Sequence, residues 1–133
     1  EKMVLTPTYH VFEMFRGHHD ATLLPLHLES PRYRHGDRDV PALSASASSR
    51  DGSILLSVVN VDPDQAAELL VDVRGQNLSR FSARILTADR TDAHNTFGNP
   101  EAVRPVPFDQ GILRHNELRV TIPAKAIVVF ELD

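Results

Sequence analysis

From Ala21 onward the apolar residues of this chain recur at every second position, in short runs separated by turn residues. That period constrains the fold more than any single motif. Ala42 to Ser49 shows it most clearly, with Leu43, Ala45 and Ala47 alternating with Ser44, Ser46 and Ser48. Successive side chains of a strand point to opposite faces, so this run is a strand with one apolar and one polar face. Arg50-Asp51-Gly52-Ser53 reads as a tight turn in which Gly52 supplies a positive φ. Ile54 to Val61 is apolar almost throughout and reads as a central strand, ended by Asp62-Pro63-Asp64. Ala67, Leu69, Val71 and Val73 then oppose Glu68 and Asp72, and Phe81, Ala83 and Ile85 mark a strand ending near Thr87. Leu118–Ile122, the turn Pro123-Ala124-Lys125, and Ala126–Leu132 complete the pattern. Thr22–Glu29 is expected to form a first strand, at an edge or bulged because of Pro25. Ser30–Pro41, polar and bounded by prolines, is expected to be a surface loop.

These connections are too short for the crossovers of about a dozen residues that a parallel sheet requires. Ile54–Val61 and Ala126–Leu132 are apolar on both sides, which favours two stacked sheets over a single meander with one wet face. The expected fold is all-β: an antiparallel two-sheet β-sandwich of about seven or eight strands, preceded by one short α-helix.

The helix is legible at Thr6-Pro7, where Thr can cap the first free amides and Pro at the first helical position needs no amide partner. Val11, Phe12, Met14 and Phe15 are expected on one side with Tyr9 nearby, Glu13 and Arg16 away from them, and Gly17 as the C-cap. A helix of about ten residues is too short to persist alone in water. It is therefore expected to dock on the sandwich or on a second copy.

One connection departs from the rest. Asp89–Gly111 holds no sustained period, yet carries Phe97, Val103, Val106 and Phe108 among Pro100, Pro105 and Pro107. Connections beyond about 12–15 residues are uncommon unless functional, disordered or packed on themselves. Its aromatics argue for an ordered loop anchored by these four apolar residues.

Chemistry is harder to find. The net charge of −4 and the absence of any Lys/Arg run argue against a nucleic-acid surface. No apolar run approaches the roughly 20 residues that span a bilayer, and the opening Glu1-Lys2-Met3 is not expected to begin a signal peptide. With no cysteine, disulfides, thiolate catalysis and Cys-based metal sites are all excluded. No cofactor or metal site is expected. His18-His19-Asp20 and His27 form the densest histidine cluster, but adjacent side chains diverge and no ligand set with known spacing appears. Asp92 and His94 could form an orienter and base, yet no nucleophile elbow accompanies them. Backbone hydrogen bonding is the commoner use of such loop residues, so replacing His94 is expected to lower stability. Asn77-Leu78-Ser79 matches a glycosylation sequon that arises often by chance. A carbohydrate-binding β-sandwich module is the alternative, using Tyr33 with Arg32 and Arg34. With no Trp and only two Tyr, stacking platforms are scarce. No pair of carboxylates suited to glycoside hydrolysis is identifiable, and no catalytic residue is assigned.

Particular segments are nonetheless specific. Leu5-Thr6-Pro7-Thr8-Tyr9-His10-Val11-Phe12-Glu13-Met14-Phe15, with His18 and Asp20-Ala21-Thr22, resembles the end of the catalytic barrel in glycoside hydrolase family 51 α-L-arabinofuranosidases. Val40–Ser48, Leu56–Asn60, Asp92-Ala93-His94-Asn95-Thr96-Phe97, Asn99-Pro100, Val103-Arg104-Pro105 and Leu118–Lys125 continue the resemblance in order along the chain. The resemblance implies a retaining exo-enzyme releasing terminal arabinofuranose from arabinan- and arabinoxylan-type glycans. It also implies a (β/α)8 barrel followed by a jelly-roll-like sandwich, commonly hexameric, with both catalytic glutamates on barrel strands absent from these residues. Residues 1–20 would be the last barrel helix and 21–133 the sandwich, a fragment inactive alone. Its implied partners are the barrel of the same polypeptide and, through the parent enzyme, an arabinose-containing oligosaccharide. No nucleic acid or membrane partner is expected, and the implied setting is the bacterial cytoplasm.

Overall fold

A computed structural model of the chain describes residues 3–133. One helix, α1 (Pro7–Phe15), runs into a 3-10 turn at Arg16–His18. The strands are β1 (Thr22–Leu23), β2 (Arg32–His35), β3 (Arg38–Pro41), β4 (Leu43–Arg50), β5 (Ser53–Asn60), β6 (Ala67–Asp72), β7 (Phe81–Leu86), β8 (Val106–Pro107), β9 (Ile112–Arg114), β10 (Glu117–Ile122) and β11 (Ala126–Leu132). A six-stranded sheet has the order β1-β4-β5-β11-β7-β8, and a three-stranded sheet the order β6-β10-β9. The hairpin β2-β3 stands apart as a ribbon, and every pairing is antiparallel.

The main core lies between the two sheets. The inner positions of β4, β5 and β11 (Leu43, Leu56, Val58, Val128, Phe130 and Leu132) are buried against Leu118, Val120 and Ile122 of β10. Phe130 sits at the centre, tilted against Phe81 and edge-on to Phe108. β5 and β11 are buried on both faces because a second layer covers the outside of the large sheet, which explains their continuous apolar sequence. That second layer is the helix and the long connection. Met14 and Val103 pack there on Leu86 and Val129, with Val11, Phe15, Leu55 and Ile127 half-buried around them.

Several expectations are corrected. The strand expected over Thr22–Glu29 is only Thr22–Leu23, paired with Ser49 and Ser48 of β4. Leu24 N–H still reaches Ala47 O at 2.9 Å, and the ladder then stops at Pro25, which has no N–H to donate. Ser30–Pro41 is a β-ribbon rather than a loop. Gly36 turns it with φ +58°, and the carboxylate of Asp39 binds both Arg32 and Arg34. β9 was not expected. It is joined to β10 by His115-Asn116, both at positive φ, and Asn116 Oδ1 accepts from Leu78 N–H at 2.7 Å.

The helix is capped as expected, with Thr6 Oγ1 accepting from Tyr9 N–H at 3.2 Å. Its apolar face is narrower than expected. Met14 is 5% exposed whereas Phe12 is 75% exposed and Tyr9 is also exposed. Positions 11, 14, 15 and 18 share one face at helical spacing, and Phe12 lies about 100° round from Val11. Gly17 does not end the helix in a left-handed conformation. It lies where a Cβ would come 2.7 Å from Leu55 Cδ2, so its role is close approach to the sheet. In the long connection, Val103 and Phe108 are buried as expected, but Val106 is exposed and Phe97 is 69% exposed.

Candidate functional site

The outer face of the large sheet is where side chains from most of the chain meet. Period two places Ser44, Ser46, Ser48 and Arg50 of β4 there, beside Leu55 and Ser57 of β5, Val129 and Glu131 of β11, and Ser82, Arg84 and Leu86 of β7. The helix covers the apolar part and is held by polar ties at its edges. Glu13 accepts a two-pronged bond from Arg84, at 3.0 Å from Nη1 and 2.8 Å from Nη2, which holds the Glu13 carboxyl below its ordinary range. This corrects the expectation that Glu13 points away from the packed face. His18, one turn beyond Met14, lies between two serines: Nδ1 is 2.7 Å from Ser48 Oγ and Nε2 is 3.0 Å from Ser57 Oγ. Burial pulls its pKa below 6.5. Arg50 Nη1 donates to His19 O at 3.2 Å.

The long connection supplies a further tie. Asn95 Nδ2 donates to Leu5 O and Val103 O, both at 2.8 Å, and its Oδ1 accepts from Val103 N–H at 2.7 Å. One side chain thus closes its own loop and joins it to the segment entering the helix. Beyond the helix a groove of about 710 Å³ remains open on the same face, floored by Met14, Leu55 and Val129 and rimmed by Arg16, Arg50 and Glu131.

The residues singled out in sequence are scattered by the fold. His18 is committed to its serines, His19 pairs with Asp20 at the surface, and His27 lies beside Glu29. No group of three His, Asp or Glu side chains is placed to hold a metal among the described residues. Asp92 is bound by Arg90, and His94 Nδ1 lies 3.0 Å from the backbone oxygen of Asp92, not from its carboxylate. Both side chains are exposed. Tyr33 projects from the opposite side of the ribbon to Arg32 and Arg34, so the three form no common platform. Glu13, Asp39, Asp92 and Asp133 have their carboxyl pKa values lowered, chiefly by an Arg partner in the first three and by the Ser53 hydroxyl in Asp133. A general acid for glycoside cleavage needs the opposite shift.

The Ser48–His18 contact has the reach of a nucleophile and its base, but Ser48 is 4% and Ser57 2% exposed beneath the helix, out of reach of substrate. These contacts position the 3-10 turn against the sheet. Sequence reasoning missed these ties, although one signal was present: His18 falls seven residues after Val11, on the packed face.

The family model described as the α-L-arabinofuranosidase C-terminal domain matches residues 1–126. An intracellular exo-α-L-arabinofuranosidase from Bacteroides ovatus is 40% identical across all of this chain and 26% of its own length. The solved family 51 arabinofuranosidase from Xanthomonas axonopodis pv. citri superposes with a TM-score of 0.96 at 42% identity, over 99% of this chain and 27% of that one. A family 51 α-L-arabinofuranosidase from Bifidobacterium longum gives a TM-score of 0.86 at 26% identity, over 98% of this chain and 26% of that one. The chain therefore spans about a quarter of the length of these relatives.

Proposed function

The chain belongs to the α-L-arabinofuranosidase C-terminal domain family, and from that premise we propose that it braces the catalytic barrel of a larger family 51 polypeptide and is inactive alone. In this reading residues 1–20 are the last helix of a (β/α)8 barrel and residues 21–133 are the sandwich; Glu1 and Lys2 lie outside the described residues. The observation that carries it is the superposition on a quarter of a family 51 arabinofuranosidase, joined to a sheet face whose apolar part is covered by the helix and tied to it by the Glu13–Arg84 pair. The helix then serves both domains. Met14, Val11 and Phe15 bind it to the sandwich, while Tyr9 and Phe12 remain exposed for the barrel.

The whole polypeptide would be a retaining, exo-acting α-L-arabinofuranosidase, following the activity named for the Bacteroides relative. Arabinan- or arabinoxylan-type oligosaccharide would meet the barrel and not this domain. A hexamer and a cytoplasmic location complete the reading. The Bacteroides relative, which is named intracellular, supports the location. Hydroxyl-radical footprinting tests the brace. Phe12 and Tyr9 should react readily in the isolated chain and be protected in the barrel-containing polypeptide. Equal reactivity in both would refute the shared helix.

A further inference from the structure

We propose that His18 is a proton-sensitive latch: protonating its ring releases the helix from the outer face of the sandwich. The direction of the hydrogen bonds is assigned from Ser57. The Ser57 hydroxyl donates towards Ser46 O at 3.4 Å, so its oxygen is free to accept from His18 Nε2–H at 3.0 Å. Nδ1 then carries the lone pair and accepts the hydroxyl proton of Ser48 at 2.7 Å. The relay runs one way, from Ser48 through a neutral imidazole to Ser57 and on to Ser46.

A second proton on the ring reverses the first link. Nδ1–H would have to donate to Ser48 Oγ, and among the described residues the displaced proton of the buried Ser48 hydroxyl finds no acceptor besides His18. Surrounding charge does not compensate. On its own segment His18 has Arg16, His19 and Asp20, and Asp20 is already beside His19. β4 contributes Arg50, β7 contributes Arg84, which is bound to Glu13 of the helix, and β11 contributes the exposed Glu131. β5 presents only Ser53, Leu55, Ser57 and Val59 on that side. The ring edge of Phe15 completes the surroundings, with centroids 5.9 Å apart. Burial disfavours the charged ring in agreement with this geometry.

The functional consequence, loosening of the sandwich from a barrel in mild acid, rests on the proposed brace; the latch itself is a property of this chain and is tested on it alone. Hydrogen exchange of the helix amides is followed from about pH 8 to about pH 5, corrected for intrinsic rates, while β5 and β11 amides report the core. His18 ring protons are titrated by NMR in parallel. Helix protection should fall between the midpoint of the undocked ring and the lower midpoint of the docked ring, with core protection unchanged. For each pH unit by which the ring midpoint lies below that of the undocked helix, protection should drop about tenfold. His18→Gln, which keeps a donor and an acceptor without titrating, should flatten the helix profile. A ring midpoint at or above 6.5, a flat wild-type profile, or an unchanged profile in His18→Gln would each overturn the latch. If His18→Gln fails to dock at any pH, the wild-type profile decides: loss of helix protection confined between the undocked and docked ring midpoints supports the latch, and loss outside that interval overturns it.

Discussion

Asn95 is the residue on which the long connection depends, and its replacement gives a calculable effect. Asn95→Ala removes the donations to Leu5 O and Val103 O and the acceptance from Val103 N–H. Net contributions of about 1 kcal/mol per hydrogen bond set an upper bound near 3 kcal/mol. The site is half-buried, so water replaces part of the loss, and about 2 kcal/mol is the expected cost. For a domain of this size that corresponds to a fall of about 6–10 °C in Tm. Asn95→Asp separates polarity from shape. The introduced carboxylate still accepts from Val103 N–H but faces the carbonyl oxygens of Leu5 and Val103, so its pKa should rise above about 3.9. The folded state then holds more protons than the unfolded one near that pKa. Relative to the parent chain, stability should therefore increase as pH falls through the raised value. Calorimetry across pH reads both effects. Asn95→Ala melting with the parent chain, or Asn95→Asp losing stability on acidification as the parent does, would refute the assignment.

Met14→Ala should weaken helix docking by about 2–3 kcal/mol, because Met14 is the buried helix residue of the second core, and exchange of the helix amides would register it before the global melt does. Glu13→Gln should cost only about 0.2–1 kcal/mol, since both partners are partly exposed. The Glu13 carboxyl is held below 4.5, so its contribution is present above that pH and is lost as pH falls through the lower folded-state value. A helix-exchange profile in Glu13→Gln as steep in acid as the parent's would contradict this. His94→Ala, contrary to the expectation from sequence, should change stability by no more than about 0.5 kcal/mol, because the ring is exposed and bonds only to Asp92 O. Thermal melts check it.

The strands that pack on two sides were legible because burial imposes a pattern. β5 and β11 could be read to within a residue, and the Ser44-to-Ser48 alternation located the polar face of β4. The ribbon β2-β3 was not legible: its residues are almost all exposed, so no hydrophobic period marks it, and it is held by backbone pairing and by Asp39 binding two arginines. β9 escaped for a related reason, since His115 gives no turn signal and the left-handed pair is stabilised by Asn116 bonding to a distant amide. The helix was readable from Thr6-Pro7, but its buried face was overdrawn by counting Phe12. Hydrophobicity alone could not show which large side chain faces the sheet. The site was the least legible part. Glu13–Arg84, His18 with Ser48 and Ser57, and Asn95 with Leu5 all join residues 30 or more apart in sequence, and no local spacing encodes them. The family resemblance located the Asp92–Phe97 signature without revealing that Asn95, and not Asp92 or His94, is its working member.

The most direct test is the simplest one, incubating the purified 133-residue chain with an aryl α-L-arabinofuranoside and following release of the aryl alcohol. A bracing domain without a carboxylate placed for glycoside cleavage should give no hydrolysis above buffer at any protein concentration. Hydrolysis that rises in proportion to the chain's concentration would contradict the account.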